Sequence, residues 1–293
     1  MEKVAVFGGS GFLGSHVADA LSEAGFKVSI FDIKPSGYLR QGQEMVIGNM
    51  LNIDEVRSLV KECDYVYNFG GIADLDDATT KAIDTIRLNI EGNVNLLEAA
   101  REGKIKRFIY ASTIYVYSSK GGFYRCSKQA SEIYVEEYRK RFGLDFTILR
   151  YGTLYGVRAD KRNSVYNYLY QALKKECIAY GGTGEETREY INVRDAAKLS
   201  VTILAEEYCN KHITITGHHP MKFKHLLEMI NEIMDNRIKM ISQGVSNDDH
   251  YSLTPYSFNP KMGQKLTSNC YIDMGQGLLE CLSEISERIN HNC

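Results

Sequence analysis

The chain has 293 residues, 44% hydrophobic and 25% charged, with four prolines. That balance, with no low-complexity tract, excludes a largely disordered protein and fits one large α/β domain with an appended lobe, or two domains. Thirty-five Lys and Arg against 37 Asp and Glu give a net charge of −2, so no overall basic field exists for nucleic acid or an anionic membrane, while a local basic pocket stays compatible.

No apolar run nears the roughly 20 residues that span a bilayer, and residues 4–7 are too short for a signal-peptide core, so a cytoplasmic protein is expected. The seven cysteines are scattered, without a Cys-x-x-Cys pair or zinc-type His spacing, and read as reduced thiols with no metal.

In chain order, residues 3–7 read as a strand and 13–23 as a helix. Further strands are read at 27–31, 44–47, 65–69, 107–111, 145–150 and 212–215, and further helices at 53–61, about 77–101, 124–141 and 193–205. Strand and helix alternating in this way predict an α/β fold, a Rossmann-type doubly wound parallel sheet, with a smaller C-terminal α/β substrate lobe. The expected division is 1–150 for the nucleotide-binding domain, with 193–216 returning to it, and 151–192 plus 217–293 for the lobe. No internal repeat is present.

Between the first strand and first helix lies Gly8-Gly9-Ser10-Gly11-Phe12-Leu13-Gly14. Glycines there allow a tight turn and close approach of a pyrophosphate to backbone N–H groups at a helix N-terminus, which makes Gly8, Gly11, Phe12, Leu13 and Gly14 the phosphate-binding positions. The second strand ends at Asp32, placed for the adenosine ribose hydroxyls, and its carboxylate favours NAD over NADP, with Lys34 softening that preference. Asn49 and Met50, after the third strand, either border the adenine or form an ordinary strand-end turn.

Ser112 and Thr113 end the 107–111 strand, and Tyr124 and Lys128 lie four apart at the start of the next helix, on one face. An ammonium near a phenol favours phenolate and would bring Tyr124 down towards working pH as a general base.

Taken together, "FGGSGFLG" from Phe7, Asp32, "NIEGNVNLLEAA" from Asn89, "ASTIYVYS" from Ala111, "YRCSK" from Tyr124, "LRYGTLYG" from Leu149 and "GTGEETREYINVRDAA" from Gly182 give the chain its family likeness. It resembles the extended short-chain dehydrogenase/reductases, in particular the NAD-dependent nucleotide-sugar epimerase/dehydratase family. The resemblance implies Tyr124 as base, Lys128 holding the nicotinamide ribose and tuning Tyr124, and Thr113 as the hydroxyl on the reacting sugar alcohol, with adjacent Ser112 a second candidate. It also implies Arg188 at the substrate diphosphate, Arg158 and Arg162 as weaker candidates of the same kind, and Asn89 ordering the site from the long helix. Thr153 stands where many relatives carry a substrate-contacting asparagine.

Two departures narrow the reading. The positions after Thr113 are Ile114 and Tyr115, whereas family dehydratases and decarboxylases usually carry an acid there, and only ten residues separate Thr113 from Tyr124, where relatives have a longer loop. The short spacer suggests a more open pocket, a bulkier sugar, or a lid taken from elsewhere.

The implied function is NAD-dependent oxidation at C4 of a nucleotide-diphosphate sugar, foremost as a 4-epimerase. Alternatives are a 4-dehydrogenase or 4-reductase with net redox change, and a non-catalytic NAD-binding sensor or scaffold. A homodimer through a four-helix bundle of the two long helices is expected. Other features read as bland: His218-His219 as a loop pair, Asp74, Asp76 and Asp77 as helix-capping acids, and Tyr166, Tyr168 and Tyr170 as base-stacking or half-buried packing residues.

Overall fold

The computed structural model describes residues 1–73, 80–244 and 251–256, all within one compact unit, Met1–Asn259. Asp74, Asp76 and Asp77, the first residues of the helix expected at 77–101, Pro260, Cys270, Cys281 and Cys293 lie outside the described residues.

The strands are β1 (Lys3–Phe7), β2 (Lys27–Asp32), β3 (Glu44–Ile47), β4 (Tyr65–Asn68), β5 (Arg107–Thr113), β6 (Phe146–Tyr151), β7 (Thr153–Tyr155), β8 (Cys177–Tyr180), β9 (Thr187–Asn192), β10 (Lys211–Ile215), β11 (Pro220–Lys222) and β12 (Lys239–Ser242). The described helices are α1 (Phe12–Glu23), α2 (Ile53–Val60), α3 (Ala82–Thr85), α4 (Gly92–Gly103), α5 (Gly122–Phe142), α6 (Ser164–Lys175), α7 (Val193–Thr202) and α8 (Phe223–Ile233).

Seven strands form a parallel sheet in the order β10-β6-β5-β4-β1-β2-β3. Both faces are covered, so the inner strands are buried in almost every position rather than alternating, and all seven residues of β5 are buried. Phe7, Val56, Leu96, Leu97, Phe108 and Val135 pack on one face, under α2, α4 and α5. Val6, Val17, Leu21, Ile30, Ile109 and Ala196 pack on the other, under α1 and α7. The chain winds outward from β1 to β3 and then returns to β4 on the far side of β1, which opens a crevice at the carboxyl ends of β1 and β4.

The long helix expected at about 77–101 is interrupted. A π-helical stretch, Ile86–Glu91, separates α3 from α4, and α4 begins at Gly92, where a Cβ would come within 2.7 Å of Met50 Cε. The run expected to 205 ends at Thr202, because the guanidinium of buried Arg107 takes the following carbonyls, Ile203 O at 2.9 Å and Ala205 O at 3.1 Å. Strands β7, β9 and β11 make a three-stranded sheet, β8 and β12 a two-stranded one, and α6 and α8 share a small core of Ala172, Ile178, Phe223, Leu227 and Ile230.

One buried ion pair joins helix to sheet. Glu132 of α5 and Arg150 of β6 are 3% and 6% exposed, and Arg150 donates to both carboxylate oxygens, Nε at 3.0 Å and Nη2 at 2.6 Å. Ser112 Oγ donates to the same carboxylate at 2.5 Å, and Arg150 Nη1 donates to the Tyr117 hydroxyl at 2.5 Å. Removing one member strands a buried charge, so Glu132→Ala is expected to cost about 3–5 kcal/mol, whereas pairing it with Arg150→Met recovers part of the loss. Urea unfolding of the single and double variants measures both; equal stability of Glu132→Ala and wild type contradicts it.

Candidate active site

At the end of β1, Gly8 takes φ +72° and donates its N–H to Phe31 O at 2.9 Å. A Cβ at Gly8 would lie 2.6 Å from Gly70 N, and one at Gly14 2.3 Å from Gly8 O, so only glycine lets the loop fold this closely against the end of β4. Helix α1 starts at Phe12 with Gly11 as N-cap and no side-chain cap, which leaves its first-turn N–H groups, those of Phe12, Leu13 and Gly14, for an anion. Asp32 steadies the loop, its carboxylate accepting from Ser10 N at 3.0 Å, and is itself only half-buried. The residues fit a dinucleotide: a cradle that a Cβ would fill, an uncapped helix end, and a carboxylate at the second strand.

Asn49 Oδ1 accepts from Leu51 N at 3.0 Å in a local turn. Met50 is buried against Gly70 and Gly92.

Both hydroxyls at the end of β5 meet α5: Ser112 Oγ is taken by the buried Glu132 carboxylate, away from the position expected of a substrate contact, while the Thr113 hydroxyl bonds the phenol of Tyr124 two helical turns earlier. Lys128, one helical turn on, donates Nζ to Ala111 O at 2.7 Å and stands 5.9 Å from the centroid of the Tyr124 ring. Asn89 braces the start of α5: its amide accepts from Ile72 N at 2.7 Å and donates to Ser127 Oγ at 2.8 Å, and Ser127 Oγ in turn donates to Tyr124 O.

The ten-residue spacer closes in a tight path. Ile114–Tyr117 form a 3-10 turn, and Gly121 turns with φ +96° beneath the Tyr115 ring, where a Cβ would come within 2.7 Å. Arg125 Nη1 holds Ser118 O at 2.9 Å and Gln129 Nε2 holds Val116 O at 2.7 Å, tying the spacer to the helix it feeds.

The electrostatics correct one expectation. Burial pushes the Tyr124 phenol up to about 12, with the Thr113 bond pulling back, and burial lowers the Lys128 ammonium to about 8, opposed by Glu132. The protein alone therefore does not lower Tyr124, because burial outweighs the Thr113 hydrogen bond, while the Lys128 ammonium donates to the Ala111 carbonyl.

The arginines separate. Arg188 lies 5.6 Å over the ring of Tyr251, whose hydroxyl is 3.2 Å from Thr153 Oγ1. Arg158 points elsewhere: its left-handed backbone (φ +69°) sends it back to α1, where it pairs with the buried Asp19 carboxylate at 2.7 Å and covers Tyr38. The Asp19 carboxylate is shared, taking Arg40 at 2.9 Å as well as Arg158. Arg162 pairs with Asp160 at 2.5 Å. Tyr168 packs on Phe223, while Tyr166 and Tyr170 stack on each other. A cleft of about 440 Å³ lined by Lys161, Asn167, Tyr170, Gln171, Lys175, Ala179 and Gln243 contains none of the expected site residues. Among the described residues no cluster of His, Cys, Asp or Glu could hold a metal, and no helix is long and apolar enough to cross a membrane.

Sequence reasoning missed Glu132, Arg150 and Tyr251. Glu132 had a signal, since it falls four residues after Lys128 on the buried face, and Arg150 interrupts a largely apolar strand. Tyr251 had none, because its partners Tyr115, Thr153 and Arg188 belong to distant parts of the sequence.

A fold with a glycine-loop crevice and a hydroxyl, tyrosine and lysine at the adjoining strand end defines an NAD-dependent enzyme of the extended short-chain dehydrogenase/reductase type. The NAD dependent epimerase/dehydratase family model matches residues 4–216, and the chain belongs to that family, with NAD as its cofactor. UDP-N-acetyl-alpha-D-glucosaminuronate decarboxylase of Bacillus cytotoxicus is 26% identical over 265 residues, covering 80% of this chain and 81% of that one. The putative UDP-glucose 4-epimerase of Methanocaldococcus jannaschii is 25% identical over 222 residues, covering 69% and 73%. Among solved structures, UDP-glucose 4-epimerase of Thermotoga maritima with UDP-glucose matches at a TM-score of 0.80 and 23% identity, over 87% of this chain and 90% of that one.

A lysine that titrates near 8 when folded and near 10.5 when unfolded carries fewer protons folded between those values, so its contribution to stability rises with pH across that window. Lys128→Met is expected to remove this rise. Unfolding midpoints of the two proteins from pH 7.5 to 10.5 measure it, and parallel curves contradict it.

Proposed function

We propose that the protein is a nucleotide-diphosphate-sugar 4-epimerase that works through a transient 4-keto sugar. The observation that carries this is the Thr113–Tyr124–Lys128 group beside the glycine loop, with no carboxylate next to the hydroxyl. In this reading residues 1–150 and 193–216 hold the cofactor, and 151–192 and 217–293 hold the substrate, with Arg188 at its diphosphate.

The chemistry assigned to the residues is as follows. Thr113 orients the sugar C4 hydroxyl, and Tyr124 removes its proton as the C4 hydrogen departs as hydride. When bound, oxidised NAD supplies the hydride acceptor and a positively charged ring. Lys128, with its ammonium on Tyr124's side of the helix, favours the phenolate. Tyr124 then returns its proton to the oxygen once the keto sugar has presented its other face and taken the hydride back, so electrons and protons balance within one turnover.

Relatives include decarboxylases, whose chemistry calls for further acid-base groups near the hydroxyl. Ile114 is buried, Tyr115 packs at a tilt against Tyr251, and Glu132 of α5 is committed to Arg150 and Ser112. Epimerisation needs no further acid, which favours it over elimination or decarboxylation. The same residues would serve a 4-dehydrogenase or 4-reductase, and release of reduced cofactor separates those outcomes.

Purified protein incubated with UDP-, GDP-, dTDP- and CDP-sugars is expected to invert C4 in one series without external reductant or accumulated NADH. Tyr124→Phe is expected to lower turnover by about 100-fold or more while retaining NAD. A lasting keto product points to the dehydrogenase, and turnover untouched by Tyr124→Phe points to a sensor or scaffold.

The assembly proposed with this function is a homodimer through the helices 82–103 and 122–142. Its support is the exposed apolar surface they carry: Ile83, Ile86, Ile133 and Tyr134. Light scattering is expected to give twice the chain mass, and a value near 33.2 kDa at micromolar concentration contradicts the dimer.

A further inference from the structure

We propose that Tyr110 is a positioning residue for the reaction: the face of its ring holds the Lys128 ammonium, in its charged form, beside Tyr124. The role rests on the reading of Tyr124 as base and Lys128 as its assisting cation; the contact itself does not.

Lys128 is 6% exposed. Its ammonium is met by one carbonyl, Ala111 O at 2.7 Å, and by the rings of Tyr110 and Tyr124, with centroids at 4.8 and 5.9 Å; among the described residues no carboxylate pairs with it. A buried cation without a carboxylate gives up hydration that other groups must replace. The face of an aromatic ring carries negative charge density and attracts a cation within about 6 Å of its centroid, most strongly where water is excluded. Tyr110 is the nearer of the two rings.

Tyr110 is fixed by the sheet. It pairs with Asn68 of β4 and Ile148 of β6, and it is 1% exposed in the core cluster that includes Leu97, Phe108 and Val135. Adjacent residues of β5 thus offer the ammonium two groups, the ring of Tyr110 and the carbonyl of Ala111. Packing alone would be met by an aliphatic side chain such as that of Ile148. Tyr124 has to pass between phenol and phenolate, so Tyr110 is the ring that serves the cation throughout.

The other groups around the ammonium leave this share to Tyr110. Glu132, on the same helix, favours the charged form, but its carboxylate is taken by Arg150 of β6 and by Ser112. In the spacer, Tyr117 bonds Arg150 and Tyr115 packs against Tyr124. The π-helical stretch meets α5 through the neutral Asn89, at Ser127 and Ser131. Burial brings the ammonium down to about 8, close to working pH, so a group that favours the charged form decides how much of Lys128 remains a cation.

The test follows the Lys128 side chain itself, by NMR of the lysine-labelled full chain from about pH 6 to 11, with Lys128→Met identifying its resonance. Tyr110→Leu is expected to lower the Lys128 titration midpoint by roughly one unit, and Tyr110→Phe, which restores a ring, by less than about 0.3 unit. Where Tyr110→Leu does not fold, fluorinated phenylalanines at position 110 keep the shape and weaken the ring face, and the midpoint is expected to fall stepwise with each fluorine. With an active nucleotide sugar, the alkaline loss of kcat moves to lower pH in step, because the base loses its cation as pH rises through the Lys128 midpoint. An unmoved midpoint in Tyr110→Leu or across the fluorinated series overturns the assignment and leaves the 4-epimerase reading standing. A midpoint that moves while the kcat profile stays in place overturns the role in the reaction. A wild type that binds NAD and converts no nucleotide sugar overturns the epimerase reading and that role with it, and the titration still decides the contact.

Discussion

The Glu132–Arg150 pair is the constraint on which the site's geometry depends. Helix α5 carries Tyr124, Lys128 and Glu132 at intervals of four, so one face presents all three to the sheet. Fixing Glu132 by two hydrogen bonds from β6 and one from Ser112 of β5 leaves the helix little freedom to slide or rotate. A bidentate guanidinium–carboxylate contact has a preferred plane and spacing, and burial makes the alternative, an unpaired charge, costly. The register of α5 against β5 follows. Ser112 is consumed by the pair, which leaves Thr113 as the strand-end hydroxyl at Tyr124.

Much of the large sheet was legible in the sequence because parallel strands buried on both faces read as short apolar runs; residues 3–7 coincide with β1. The glycine loop was legible for a similar local reason, since the backbone conformation and its contacts are set within a few residues. The π-helical stretch was not, because it answers to Asn89 and to Met50 against Gly92, contacts made across the fold. Strands β7, β8, β9, β11 and β12 have three to six residues each and gain their stability from partners far along the chain. Periodicity in so short a stretch carries little signal.

The arginines show the same limit in a different form. Arg158, Arg162 and Arg188 look alike in sequence, each a cation near glycines and acids. What distinguishes them is which carboxylate each can reach: Asp19 lies 139 residues from Arg158 and Asp160 only two from Arg162. Arg188 instead faces an aromatic ring.

Burial disfavours both charged forms at this centre, the phenolate of Tyr124 and the ammonium of Lys128. In the proposed epimerase reading the same desolvation therefore works against the base and against the cation that assists it. A positive charge brought by oxidised NAD would add to that of Lys128 in favouring the phenolate, which would tie proton abstraction to the presence of an acceptor for the hydride.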